Sequence, residues 1–251
     1  VVVEAIVEDM DIKKKVIAET ASHCKDECIV ATNTSSLSVT KMQNGHPKPE
    51  NCLGMHFFNP VHRMPLVEVI RGKETSDVAT ATIFDLAKRM GKTPVVVKDG
   101  PGFLVNRLLL PWMMEGMFML EDGMDIETTD RYYTHKFGTP MGPFRLMDEV
   151  GLDVCVKVLK IFRKELGERI EVPDLVDKLA SSDRLGKKNG KGFYLYDQKT
   201  GKETGADKEI YVEMGLSQPT NPLTEKECLE RGIFQMVNEA SRALVEDQIV
   251  K

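Results

Sequence analysis

Two side chains that can exchange a proton, His56 and Glu68, lie within stretches that are otherwise apolar and strand-like. The segment from Gly54 to Ile70 reads GMHFFNPVHRMPLVEVI. A buried carboxylate is costly unless it is paired, and an imidazole that carries a proton for part of a reaction would offset that cost. If the two strands are neighbours, Glu68 could hold one imidazole nitrogen and leave the other free to act as a base. The alternatives are a structural histidine and a solvent-facing glutamate on an edge strand.

Two further polar residues lie where predicted elements end or begin. Ser35, in NTSS, follows a short apolar strand, and Asn106, in PGFLVNR, begins a long apolar helix. Ser35 could cap the next helix or present its hydroxyl to a ligand. The amide of Asn106 could enter a cleft or bond to the backbone. We interpret Arg107 as solvated or paired, and His62 and His135 as surface residues.

Composition excludes several classes of function. The chain has 251 residues, of which 41% are hydrophobic and 29% charged, which is typical of a soluble protein with one or two domains. A net charge of -5 and the absence of a basic stripe argue against a nucleic-acid partner. The five cysteines form no CxxC pair and show no metal-site spacing with histidine, so we predict free thiols and no metal. No apolar run reaches the ~18 residues of a membrane span, and no secretion signal is present.

The candidate residues would be positioned by an alternation of strands and helices. Apolar runs predict strands, and apolar residues at helical spacing predict the helices between them. The predicted strands cover 1–7, 28–31, 52–58, 65–70 and 95–99. This alternation predicts a mostly parallel, doubly wound sheet, with ligands bound at the carboxyl ends of the strands, where His56 falls.

The opening run, VVVEAIV, is apolar and β-branched almost throughout. Such a run is typical of a strand in the buried middle of a parallel sheet. Because a natural domain rarely opens on such a strand, we expect the sequence to be a fragment.

The pattern changes at Asp99, where long helical segments rich in Met and Leu begin, with Pro111 as an expected kink. A Gly- and Lys-rich loop with one short aromatic strand follows, and then another amphipathic helix. We predict a sheet domain at 1–98 and a helical domain at 99–197, followed by a further segment at 198–251.

Six segments together resemble the 3-hydroxyacyl-CoA dehydrogenase family. They read NTSSL, GMHFFNPVHRMPLVEVIRG, MGKTPVVVKDGPGFLVNR, FGTPMGPF, DEVGLD and LGKKNGKGFYLY. Within the family, the second segment and the tail beyond Tyr196 most resemble the dehydrogenase part of the alpha subunit of bacterial fatty-acid oxidation complexes. The resemblance implies an α/β plus all-α chain, with the C-terminal part of a Rossmann-like doubly wound sheet followed by the helical C-terminal domain of the family. It makes 1–98 a partial NAD-binding domain, 99–197 a helical domain for substrate binding or dimerisation, and 198–251 a linker and the start of a second, truncated helical domain.

The resemblance also implies a reaction, the NAD-dependent oxidation of (S)-3-hydroxyacyl-CoA to 3-ketoacyl-CoA. His56 would take the proton of the 3-hydroxyl while hydride leaves carbon 3 for the nicotinamide, and Glu68 would orient His56. Ser35 and Asn106 would contact the reacting oxygen and the thioester region. The residues that the resemblance places around NAD are Glu8, Lys13, Ser35, Asn59 and Lys188.

The sequence departs from the family in one respect. It contains no GxGxxG turn, which in this family precedes the strand that opens this chain. We therefore expect this polypeptide alone to bind NAD poorly and to be impaired. Two alternatives remain, namely a stand-alone 3-hydroxybutyryl-CoA dehydrogenase and a non-enzymatic, crystallin-like member of the fold.

The resemblance implies partners as well. An acyl-CoA is the expected substrate, and the expected protein partner is a second copy bound through the helical domains or a thiolase subunit. A hydratase domain could precede this segment in the parent protein. We expect the cytoplasm of a bacterium, or the mitochondrial or peroxisomal matrix of a eukaryote.

Overall fold

The computed structural model describes residues 1–245 and Ile249, which fall into two compact units. Unit 1 comprises Val1–Arg107 and Ser241–Lys251, and unit 2 comprises Leu108–Ala240. The domain limits predicted from the sequence, at residues 98 and 197, stay predictions.

Unit 1 is built on a five-stranded sheet flanked by helices. Its elements are β1 (Val2–Glu4), α1 (Met10–His23), β2 (Val30–Thr32), α2 (Val39–Gln43), β3 (Cys52–Phe57), β4 (Leu66–Arg71), α3 (Asp77–Arg89) and β5 (Thr93–Lys98). The strands lie in the order β1-β2-β3-β4-β5, and all neighbours are parallel except β3 and β4, which are antiparallel. The predicted mostly parallel sheet is therefore confirmed.

Local sequence accounts for the ends of the helices in unit 1. Asp9 caps α1 by accepting the amides of Asp11 and Ile12 through its side chain, and Ser76 caps α3 through the amide of Ala79. Apolar residues of the strands and of α3 form the core beneath the sheet, which includes Ala31, Leu53, Met55, Val67, Val69 and Ile83.

The first strand is shorter than predicted. We expected a strand over residues 1–7, whereas β1 covers only Val2–Glu4. Within the described part of the chain, β1 pairs with β2 alone, and Val1 and Val3 are 56% and 42% exposed. The expectation that a run such as VVVEAIV lies in the buried middle of a parallel sheet stays a prediction.

Unit 2 is mainly helical. α4 (Val105–Glu121) begins in unit 1, and the elements after it are α5 (Ile126–Tyr132), α6 (Pro143–Val150), α7 (Leu152–Leu166), α8 (Leu175–Ala180), β6 (Tyr194–Tyr196), β7 (Glu203–Ala206), α9 (Glu209–Glu213) and α10 (Glu225–Val245). α4 runs through Pro111, and the kink expected there stays a prediction. The sequence did not indicate β7, which forms an antiparallel hairpin with β6.

Two buried aspartates tie together the segments of unit 2. The carboxylate of Asp148 accepts the amides of Phe193 and Tyr194 at 2.9 and 2.8 Å. The carboxylate of Asp130 accepts the amides of Phe144 and Arg145 at 3.0 and 3.1 Å. Burial raises the pKa of both carboxyl groups to about 6, although these hydrogen bonds act in the opposite direction. The segments FGTPMGPF and KGFYLY thus supply amides to the two carboxylates, and DEVGLD supplies Asp148 itself.

The described residues contain neither a membrane-crossing helix nor a group of metal ligands. None of the helices found there combines the length and apolar character that a membrane crossing requires. In the same part of the chain, no three His, Cys, Asp or Glu side chains are grouped as metal ligands.

Candidate active site

The antiparallel pairing of β3 and β4 places His56 directly opposite Glu68. The Nδ1 atom of His56 lies 2.7 Å from Oε2 of Glu68, and both side chains are buried. A carboxylate can only accept, so Nδ1 donates the proton, and in a neutral imidazole Nε2 is then the basic nitrogen. The two residues are neighbours on adjacent strands, as the hypothesis from the sequence required. Their catalytic roles stay a prediction.

The second carboxylate oxygen of Glu68 faces the start of a helix. Oε1 accepts the amides of Leu104 and Val105, each at 2.9 Å, where α4 begins. Amides at a helix N-terminus carry partial positive charge and favour an ionised carboxylate. Glu68, which has no exposed surface, therefore has three hydrogen-bond donors that compensate its burial.

Two aromatic rings lie beside the imidazole, and one asparagine binds the backbone of the next residue. The ring centroids of Phe58 and Phe103 lie 4.6 and 5.8 Å from that of His56. The side-chain oxygen of Asn33 accepts the amide of Phe57 at 2.9 Å and so fixes the chain immediately after His56. Sequence reasoning missed Asn33, although it is the first residue of the NTSS turn.

The structure brings Ser35 and Asn106 together. The side-chain nitrogen Nδ2 of Asn106 donates to the backbone oxygen of Ser35 at 3.1 Å. An amide nitrogen carries two protons, so one of them remains for another acceptor. The predicted backbone role of Asn106 is present, and a ligand role is compatible with it.

Glu8 organises the turn that contains Ser35. Its Oε1 atom accepts the hydroxyl of Thr34 at 2.7 Å and the amides of Ser35 and Ser36 at 3.0 and 3.2 Å. Burial alone would raise the pKa of Glu8, but these hydrogen bonds and the charge of Lys13 outweigh it and lower the pKa below the ordinary glutamate value. Glu8 is therefore ionised at neutral pH.

Lys13 is a buried cation held by carboxylates. Its Nζ atom lies 3.0 Å from Oε1 of Glu4 and 3.5 Å from Oε2 of Glu8, and it also donates to the backbone oxygen of Ile6. Glu4 in turn accepts the hydroxyl of Thr32. Sequence reasoning missed Glu4, although an acidic residue within VVVEAIV was a visible signal.

The remaining predicted residues have other surroundings. Asn59 is exposed beyond the end of β3. Lys188 belongs to unit 2, where it donates to Asp153 at 2.7 Å. Arg107 is buried and has an interaction partner, which agrees with the paired alternative and not with the solvated one. His62 and His135 are exposed as predicted.

Family models match both parts of the chain. The model of the 3-hydroxyacyl-CoA dehydrogenase NAD binding domain matches residues 1–100, and that of the 3-hydroxyacyl-CoA dehydrogenase C-terminal domain matches residues 102–196. The resemblance stated from the sequence is therefore confirmed, and the matched NAD binding domain supports NAD as the cofactor.

Individual relatives agree with the family models. The fatty acid oxidation complex subunit alpha of Shewanella baltica is 44% identical over 250 residues, which are 100% of this chain and 35% of the relative. The chain thus spans about a third of the length of the curated relatives that it matches.

Two solved structures extend the agreement to the fold. The (S)-3-hydroxybutyryl-CoA dehydrogenase PaaH1 of Ralstonia eutropha is 36% identical with a TM-score of 0.75, and the match covers 78% of this chain and 70% of that one. The dehydrogenase part of multifunctional enzyme 1 of C. elegans is 32% identical with a TM-score of 0.67, covering 99% of this chain and 56% of that one. On this evidence the chain belongs to the 3-hydroxyacyl-CoA dehydrogenase family.

Proposed function

We propose that this chain carries the proton-transfer site for NAD-dependent oxidation of (S)-3-hydroxyacyl-CoA to 3-ketoacyl-CoA in fatty-acid β-oxidation. The observation that supports the proposal is the buried contact of 2.7 Å between Nδ1 of His56 and Glu68, at the carboxyl end of β3. Oxidation of a secondary alcohol requires a base at the hydroxyl, and a histidine with one nitrogen held by a carboxylate suits this role.

The residues at the carboxyl ends of β1, β2 and β3 fit a nicotinamide cofactor. Glu8, Ser35 and Asn59 each follow one of these strands, which run parallel and end at the same edge of the sheet. In open α/β sheets, ligands bind at this edge. We propose that these three residues and Lys13 hold the nicotinamide end of NAD, and we keep Lys188 as a further proposed contact. Bound NAD supplies the hydride acceptor for carbon 3 of the substrate.

His56 would accept the proton of the 3-hydroxyl at Nε2. Glu68 would then stabilise the imidazolium, and the two amides at the start of α4 would hold the other oxygen of Glu68 in place during the transfer. Proton transfer by a positioned base typically contributes about 10²- to 10⁴-fold to a rate. Ser35 and the free proton of the Asn106 amide would contact the reacting oxygen and the thioester region.

We also propose partners and a location. The relatives named as alpha subunits of a fatty acid oxidation complex support a multi-enzyme assembly. The finer proposal is a thiolase subunit or a second copy of this chain as the protein partner. The bacterial relatives support the cytoplasm of a bacterium.

The test is turnover of the natural full-length protein with acetoacetyl-CoA and NADH. This assay follows the reverse reaction, in which the imidazolium of His56 would return the proton to the 3-oxygen as hydride reaches carbon 3. The substitution His56→Gln should therefore lower kcat by about 10²- to 10⁴-fold, because it removes the proton donor, while KM changes little. The control is His62→Gln, since His62 is exposed beyond the end of β3 and should leave the rate unchanged. An unsubstituted protein without turnover would support the crystallin-like alternative instead.

A further inference from the structure

Phe103 has a backbone conformation that its side chain disfavours. Its φ is 51° and that of Gly102 is 69°, so two successive residues lie in the left-handed region. Glycine adopts this region freely, whereas the β-carbon of phenylalanine crowds the backbone there. Residues other than glycine rarely have a positive φ, and such outliers concentrate at functional sites.

The turn that contains Phe103 directs two amides at Glu68. The amide of Phe103 donates to the backbone oxygen of Gly100 at 3.0 Å, and the chain then enters α4. The next two amides, of Leu104 and Val105, both donate to Oε1 of Glu68 at 2.9 Å. Because the left-handed pair immediately precedes these amides, their direction depends on the φ of Phe103.

The side chain of Phe103 explains why this position is not a second glycine. The ring is fully buried and packs with Val39, Ile70 and Val97. Its centroid lies 5.8 Å from that of His56, with 60° between the ring planes. Glycine would adopt the same φ with less strain, but it would leave this side of the imidazole without an apolar wall.

We propose that Phe103 is a positioning residue for the proton-transfer pair. Its left-handed backbone presents two amides to Glu68, and its ring restrains the imidazole of His56. The effect of Phe103 on catalysis rests on the proposed function. The φ of Phe103 and the contact of its ring with His56 can be measured without turnover.

The first experiment is NMR spectroscopy of the unsubstituted chain. We expect a positive φ for Phe103 from its scalar couplings and nuclear Overhauser effects between its ring protons and the imidazole protons of His56. The Nδ1 proton of His56 should resonate far downfield and exchange slowly, because it is buried in a short hydrogen bond. A negative φ, or the absence of these Overhauser effects, would overturn the proposal.

The second experiment replaces the ring but keeps apolar bulk and a β-carbon, with the variants Phe103→Leu and Phe103→Met. We expect faster solvent exchange of the His56 Nδ1 proton in this chain. In the natural full-length protein kcat should fall by about ten- to a hundredfold, with KM little changed, because the imidazole of His56 is no longer held in one orientation. The matched control is Phe162→Leu, which removes a buried ring from unit 2 and should change neither readout.

The outcomes separate the two proposals. Variants that lose stability but keep the slow Nδ1 proton and the kcat of the unsubstituted protein would show that Phe103 is only a core residue. If the unsubstituted full-length protein does not turn over, the proposed function fails. The spectroscopic results would then still decide whether Phe103 positions His56 and Glu68.

Discussion

Glu68 shows how a buried carboxylate can have all of its burial compensated by hydrogen-bond donors. An unpaired buried carboxylate would cost several kcal/mol. Glu68 avoids that cost because His56 donates to one oxygen and two backbone amides donate to the other. All of its partners are donors, so the site is built for a group that only accepts.

The substitution Glu68→Gln tests this arrangement. A glutamine side chain has only one acceptor oxygen, so its NH₂ group must face at least one of the three donors. We expect kcat of the natural full-length protein to fall by about 10²-fold or more, with a smaller change in KM. The loss of hydrogen bonds should also lower the free energy of unfolding by about 1–3 kcal/mol.

Steady-state kinetics and urea denaturation at one pH measure both effects of Glu68→Gln. Glu74→Gln is the control, because it makes the same glutamate-to-glutamine change at an exposed position in the turn after β4. An unchanged rate in the Glu68 variant would refute its assigned role.

At the scale of elements, buried carboxylates also hold unit 2 together. Asp148 binds the strand β6 and its approach, and Asp130 binds the first turn of α6. Gly192 and Gly142 allow this approach, since a β-carbon at either position would lie 2.0 or 2.2 Å from a carboxylate oxygen. The carboxylates therefore fix the start of α6 and the start of β6.

The raised pKa values of Asp130 and Asp148 predict that the free energy of unfolding depends on pH. Both are about 6 in the folded chain, against about 3.9 for an unfolded aspartate. Between these values the folded state binds more protons, so the contribution of these groups to the free energy of unfolding is largest below the unfolded pKa and decreases as pH rises through about 6.

Carboxyl ¹³C NMR titration measures these pKa values directly. We expect midpoints near pH 6 for Asp130 and Asp148. Asp197 is an internal control, because hydrogen bonds from Thr200 lower its pKa below the ordinary aspartate value. Midpoints for the buried pair at or below that of Asp197 would contradict the prediction.

Elements whose apolar residues recur with a clear period were predictable from the sequence. Elements that depend on partners distant in the sequence were not. Alternating apolar runs and helical spacing identified α1, α3 and most of the sheet, and charge inside apolar strands identified His56 and Glu68. The short length of β1 and the existence of β7 depend on pairing with another strand, which no local pattern encodes. Asn33 and Asp130 were missed for a related reason, since their partners lie 24 and up to 64 residues away.

At the scale of the molecule, the proposed proton-transfer residues belong to one unit. His56, Glu68, Ser35 and Asn106 all lie in unit 1 and are fixed by hydrogen bonds within it. The geometry of the base thus depends on one sheet and on the first residues of α4. We therefore expect this chain to form the His56–Glu68 pair whether or not it binds NAD.

Binding of NADH by this polypeptide should nevertheless be weak. The pyrophosphate of a dinucleotide is normally held by amides of a glycine-rich turn at a helix N-terminus, and the 251-residue sequence contains no GxGxxG segment. Glu8, Lys13, Ser35 and Asn59 would address only the nicotinamide end. Isothermal titration with NADH should give no binding in the micromolar range, while the slow Nδ1 proton of His56 reports that the same sample is folded. Micromolar affinity in that sample would mean that other amides of this chain bind the phosphates. It would contradict the expectation that the chain forms the His56–Glu68 pair but lacks a site for the pyrophosphate.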